Sequence, residues 1–160
     1  MTEPIVAVSR YGPSGASTRV RLLDWFKHLG IQAEHHSYLG NSDNSIGSLS
    51  KRLPEVLRAK ADLRRLSSNL CGRRLILSKS ASPFSSGKIE SQLLSSAGHS
   101  VYDFDDALYA SSPTGARRFW SPSNTWSKAV DAADVVIAGS EILAEQAEQI
   151  ARMSWSFLAA

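Results

Sequence analysis

The chain has 160 residues, 42% hydrophobic and 21% charged, with a formal net charge of +3 at pH 7. That length supports one domain with a core of its own, and the composition excludes fibrous and strongly charged disordered classes. Cys71 is the single cysteine, which rules out an internal disulfide. No run approaches the roughly 20 apolar residues of a membrane-spanning helix, and the first residues lack the basic and apolar stretches of a secretory signal, so the sequence reads as cytoplasmic.

Ile5-Val6-Ala7-Val8 is a short apolar run and predicts a buried strand. It leads into a loop of small residues, Tyr11-Gly12-Pro13-Ser14-Gly15-Ala16-Ser17, and then into a helical pattern at Val20, Leu22, Leu23, Phe26 and Leu29, closed by Gly30. Strand, small-residue loop and helix form the opening unit of a doubly wound α/β sheet, in which ligands bind at the carboxyl ends of the strands. Gly12 and Gly15 allow a ligand to come close to the backbone. Ser17 is the expected N-cap, with free N–H groups and the positive end of the helix dipole beyond it. Arg19 and Arg21 oppose that dipole, which suggests an anionic partner. Capping alone explains the same glycines and serines, and the loop is neither a Walker A motif nor a G-x-G-x-x-G fingerprint.

Residues 31–39 predict a second strand on which His35 and His36 point to opposite faces, against a shared metal. A polar loop, 40–50, precedes a helix begun by Pro54, with Leu53, Val56, Leu57, Leu63, Leu66 and Leu70 on its apolar side. This segment is also basic: Lys51, Arg52, Arg58, Lys60, Arg64, Arg65, Arg73 and Arg74 face only Glu55 and Asp62. A solvated helix face is the simplest reading; nucleic acid, anionic lipid or a phosphorylated substrate are the alternatives, although the aromatic interleaving of single-strand binders is missing.

A third strand (73–78), a second small-residue loop (80–86) and a helix (88–97) follow. Val101 and Tyr102 end a fourth strand, after which come Asp103, Asp105 and Asp106. If the strand continues, Asp103 and Asp105 share a face and Asp106 opposes them. Clustered carboxylates call for a cation, a donor-rich ligand or a helix N-terminus nearby, or else they cap a helix. Residues 107–123 are irregular and contain Arg117-Arg118-Phe119-Trp120, a grip for sugar or phosphate or a packed crossover. A helix (124–133), a fifth strand (134–138) and a last helix (141–153) complete the pattern. The predicted fold class is therefore α/β, a doubly wound, mainly parallel Rossmann-like sheet with helices on both faces.

Three stretches carry a family resemblance. Gly12-Pro13-Ser14-Gly15-Ala16-Ser17-Thr18-Arg19-Val20-Arg21 resembles the first loop and helix of group 1 glycosyltransferases, which have the two-domain GT-B fold, and Leu29-Gly30 matches the end of that helix. Val101-Tyr102-Asp103-Phe104-Asp105-Asp106-Ala107-Leu108-Tyr109 resembles the family's Asp-x-Asp-Asp-Ala segment, and the stretch from Ala133 through Gly139-Ser140 to Leu143-Ala144 resembles a third block, in the family's order and spacing.

The resemblance implies that residues 1–152 form the amino-terminal, acceptor-side domain of such an enzyme. Gly12, Gly15, Ala16, Ser17 and Arg19 would then lie at the donor phosphates, and Asp103, Asp105 and Asp106 at the acceptor cleft. It implies a nucleotide-sugar as donor substrate, no separate cofactor and no metal, and a carbohydrate, lipid-linked or small-molecule acceptor. Nucleic acid is not expected; peripheral membrane contact stays open. No catalytic residue is assigned. Residues 153–160 depart from the family, which continues into a second, donor-binding domain, and read as an atypical tail of a truncated or split enzyme. The expectation is a glycosyltransferase half that is inactive by itself. The alternatives are a stand-alone module of flavodoxin-like topology for a phosphorylated ligand, and an interaction protein using the basic segment.

Overall fold

The computed structural model describes residues 3–38, 40, 52–110 and 121–150, and the backbone of 156–159. The strands are β1 (Ile5–Ser9), β2 (Ala33–Ser37), β3 (Arg74–Ser78), β4 (His99–Phe104) and β5 (Val135–Ala138), with β6 (Ser156–Ala159) beyond β5. They form a parallel sheet in the order β2-β1-β3-β4-β5-β6. Helix α1 is continuous over three turns of different pitch, Ala16–Thr18, Arg19–Leu23 and Asp24–His28, the middle one a π-turn. The others are α2 (Leu53–Ser68), α3 (Lys88–Ser96), α4 (Pro122–Ala132) and α5 (Glu141–Ile150).

The chain is thus an α/β Rossmann-like protein, and each predicted strand and helix among the described residues is present. The acidic stretch divides: Asp103 lies inside β4, and Asp105 and Asp106 follow its end. The closing residues, read as an atypical tail, differ from that reading in part, because Ser156–Ala159 pairs with β5. Edge pairing is made by backbone groups, so it needs no period-2 side-chain pattern.

Right-handed crossovers decide which helix lies on which face. The step from β1 to β2 runs one way along the sheet; those from β2 to β3, β3 to β4, β4 to β5 and β5 to β6 run the other way. Helix α1 therefore covers one face and α2 to α5 the other. On the α2–α5 face, Val6, Val8, Leu75, Leu77, Tyr102, Phe104, Val136 and Ala138 join Leu63, Leu66, Leu93, Leu94, Trp126 and Val130 in the main core. On the α1 face, Ala7 packs with Leu22 and Phe26, bordered by Leu23, Ile31, Ala33 and Ile76. Beyond α1 that face is thinly covered: Val101, Val135 and Ile137 are half-buried, whereas Tyr102 and Val136, which point the other way, are buried.

Gly87 joins the loop after β3 to α3 with φ +84°, and a Cβ there would lie 2.7 Å from the carbonyl oxygen of Asn124 on α4. Gly87→Ala forces both a left-handed side-chain conformation and a backbone collision, so it is expected to cost at least about 2 kcal/mol in urea unfolding. A neutral effect would mean that α3 and α4 do not approach so closely.

Candidate functional site

The strand order reverses between β1 and β3, and a crevice opens at their carboxyl ends, as expected at such a switch point. Its cavity measures about 220 Å³ and is bounded by the ends of β1 and β3, the start of α1, the turn after β4 and the first turn of α4. The lining is rich in hydroxyls, among them Ser17, Thr18, Ser80, Ser82 and Thr125, with two cations, Arg10 and Lys79, and one carboxylate, Asp106.

The β1–α1 loop is fixed by hydrogen bonds under this crevice. Ser9 Oγ donates to the Tyr11 carbonyl (2.7 Å), and Thr18 Oγ1 donates to the same carbonyl (3.1 Å). The Ser9 oxygen is then left to accept from His35 Nε2 on β2, at 2.8 Å. Burial, with the neighbouring His36 second, lowers the His35 pKa, so this contact is made by a neutral imidazole at pH 7. Gly15 N donates to Gly12 O at 2.9 Å, and a Cβ at Gly15 would meet Tyr11 Cβ at 2.8 Å. Only glycine fits that close turn.

A lattice of charge lies beside the crevice. Arg21, in the π-turn of α1, is bidentate on Asp103: Nε donates to Oδ2 at 2.9 Å and Nη2 to Oδ1. Ser78 Oγ donates to Asp103 Oδ2 at 3.0 Å. Arg21 also lies 3.7 Å from Asp105, and hydrogen bonding to Asp103 raises its pKa against the opposing effect of burial. Lys79 Nζ bridges Asp105 (2.6 Å) and Asp106 (2.8 Å). Burial lowers the Lys79 pKa, but the hydrogen bonds to Asp105 and Asp106 outweigh it, so the net shift is upward and the ammonium is retained. Its backbone has φ +61°, a left-handed conformation that costs a lysine roughly 1–3 kcal/mol and that clusters at ligand sites. Two bonds hold it there: Lys79 N donates to Asp103 O (2.8 Å), and the buried Tyr102 hydroxyl donates to Lys79 O (2.9 Å).

The far wall, the loop 80–87, is held by Glu90 of α3, which is fully buried. Glu90 accepts from Ala81 N at 2.9 Å and from the Ser85 hydroxyl, while Ser85 O accepts from Thr125 of α4 at 3.2 Å. Burial raises the Glu90 pKa, only partly offset by the hydrogen bonds from Ser85 and the backbone.

The predicted residues meet here with changes of role. Ser17 and Asp106 line the cavity, whereas Asp103 is buried beneath Arg21. Ser17 is not the N-cap: the helix begins at Ala16 with Gly15 as cap and no side-chain capping bond, so the Ser17 hydroxyl is left to the crevice. Gly12 is buried in the turn, Gly15 is half-buried and Ala16 is exposed. Arg19 points away from the acids, 4.0 Å from Asp24 with its side chain 60% exposed, and Arg21 takes the inward position. The strand ends at Phe104, so the acids do not divide by strand face: Asp105 lies 3.7 Å from Arg21 and 2.6 Å from Lys79, which it shares with Asp106. Lys79 and Glu90 are additions that sequence reasoning missed; the available signal was a polar Ser78-Lys79-Ser80 run at the end of the strand beside β1. The Arg117-Arg118-Phe119-Trp120 cluster and residues 41–50 lie outside the described residues.

Fold and crevice together define the chain as a Rossmann-like α/β protein with a polar, charged cleft at its switch point. A scan against protein-family models and a search of curated proteins found no match to this sequence. Among the described residues no helix is long and apolar enough to cross a membrane.

Asp103→Ala strands Arg21 and Ser78; because the arginine is partly solvated, the expected cost is about 1–3 kcal/mol, with an Arg21/Asp103 double-mutant cycle giving a coupling of about 1 kcal/mol or more. The raised Glu90 pKa carries its own sign. The folded state holds the proton more tightly than the unfolded state, so this group's contribution is fully present below its unfolded pKa of about 4.3 and is lost as pH rises toward the folded value. Glu90→Gln is expected to remove that decline in a stability–pH profile, whereas Glu90→Ala, which leaves Ala81 N and Ser85 unpaired, destabilises at every pH.

Proposed function

We propose that residues 1–152 are the acceptor-side half of a GT-B glycosyltransferase, taking a hydroxylated, anionic ligand in the β1/β3 crevice. The observation that carries this reading is the meeting of the two stretches that resemble that family: the helix that follows the 12–18 loop delivers Arg21 onto Asp103, and Ser17 and Asp106 border one cavity. Hydroxyl side chains suit the many donors and acceptors of a sugar, and Arg10 and Lys79 suit a phosphate. In this reading the backbone from Gly15 to Ser17 faces the donor phosphates, Lys79 neutralises an anionic group, and Asp105 and Asp106, once exchanged off Lys79, accept from acceptor hydroxyls. Stabilising a departing diphosphate requires a donor-binding domain that these residues do not supply.

A second reading has one observation in its favour. The order β2-β1-β3-β4-β5 is that of flavodoxin-like sheets, which hold a phosphorylated ligand at this switch point within one domain.

Calorimetric titration of the purified chain with hexose phosphates is expected to give dissociation constants on the order of 0.1–1 mM, with inorganic phosphate and free hexose at least ten-fold weaker. Lys79→Gln is expected to weaken hexose-phosphate binding ten-fold or more. Absence of binding to any sugar phosphate or nucleotide-sugar would sink the glycosyltransferase reading. Sugar transfer by the 160-residue chain without a partner would reject the half-enzyme reading.

A further inference from the structure

A second cavity, of about 260 Å³, lies between α2 and α3 and shares only Ser82 and Ser85 of the loop 80–87 with the crevice. Its floor is apolar: Val56 and Leu63 of α2, Phe84 and Ile89 from the loop and α3, and the ring of Tyr38 beyond β2. The α2 wall repeats at helical spacing through Leu57, Lys60 and Arg64, which therefore share one side of the helix. Leu57 is 66% exposed, and Leu53, one turn earlier, is 60% exposed.

Charge is distributed unevenly around this trough. Lys60, Arg64 and Lys88 rim it, and among the described residues no carboxylate lines it. Elsewhere in the same basic segment Arg52 pairs with Glu55, Arg65 with Asp62, and Arg73 with Glu34, while Arg74 donates to the Glu3 carbonyl. Among the described residues none of the three rim cations has a carboxylate within ion-pair distance. A merely solvated helix face intersperses its charges. Here Lys60, Arg64 and Lys88 converge on one patch of apolar surface.

An apolar trough with a purely cationic mouth complements an aliphatic chain that ends in an anion. Inorganic phosphate makes no use of Leu57, Phe84 and Ile89, and a single-stranded nucleic acid needs successive exposed aromatics along a continuous basic track, whereas Tyr38 is buried here. We propose that the α2–α3 trough is a binding site for a single-chain anionic amphiphile, its chain against Leu57, Leu63, Phe84 and Ile89 and its phosphate or carboxylate at Lys60, Arg64 and Lys88. This site is distinct from the crevice and does not rest on the function proposed for it.

The test is titration of the isotope-labelled full chain with decyl phosphate and with decanoate, below their micelle concentrations, followed by NMR and calorimetry. Saturable one-to-one binding of both is expected, with shifts centred on Leu57, Lys60, Ile89 and Gln92, and 1-decanol and inorganic phosphate each at least ten-fold weaker. Lys60→Gln with Arg64→Gln is expected to weaken binding five-fold or more, as is Leu57→Ser at its exposed position. Arg65→Gln, whose side chain lies outside the trough, should change nothing. Equal binding of 1-decanol or of inorganic phosphate, equal loss with Arg65→Gln, or shifts mapping away from α2 and α3 would each overturn the proposal. So would association with phosphatidylglycerol vesicles without binding of the monomeric probes, which would assign the surface to a bilayer instead.

Discussion

Parallel strands joined through helices turn with one hand, and most of this architecture follows from that constraint. The chain steps from β1 to β2 in one direction and then places all later strands on the other side of β1. Among the described helices α1 is consequently alone on its face, and the connections leaving β1 and β3 part in opposite directions above the sheet. The crevice is the space between them. The thinly covered stretch of sheet around Val101, Val135 and Ile137 has the same origin, since no described crossover returns to that side.

The open end of the sheet is held by charge. A bidentate guanidinium–carboxylate pair ties α1 to β4 across the crevice, and Ser78 of β3 shares the same carboxylate. The π-turn that contains Arg21 matters here, because a locally widened turn redirects side chains relative to a regular helix and is frequent at functional positions. Lys79 adds a second link, strained in backbone yet fixed by Tyr102 and by two aspartates. A ligand anion entering the cavity would compete with those aspartates for an ammonium already in place. The ammonium is fixed in position by two carboxylates.

Both cavities depend on the loop 80–87, and that loop depends on a buried carboxylate. Glu90 satisfies Ala81 N and the Ser85 hydroxyl from inside the core, where a charge is costly unless hydrogen-bonded. The loop is therefore a partition, with Ser80 and Pro83 on the crevice, Phe84 and Ser86 on the trough between α2 and α3, and Ser82 and Ser85 bordering both.

Element identity was legible in the sequence because its signals are local. The apolar run at Ile5-Val6-Ala7-Val8, the spacing of Leu22 and Phe26, the glycines after the first three helices and the acids after Tyr102 all act within a few residues. Which arginine of the first helix meets the acids was not legible. Arg19 and Arg21 are equivalent by composition, and the choice rests on helix phase through the π-turn and on a contact between residues 82 positions apart. The same holds for Lys79, whose part depends on β3 lying between β1 and β4, and for Glu90, which shares the helix face of Leu93 and Leu94 but takes its hydrogen bonds from the loop before the helix. Sequence by itself determined the elements and the α/β class, through backbone preference and side-chain period. Tertiary structure decided which polar groups converge at the strand ends, because long-range pairing brings together charges that no local pattern relates.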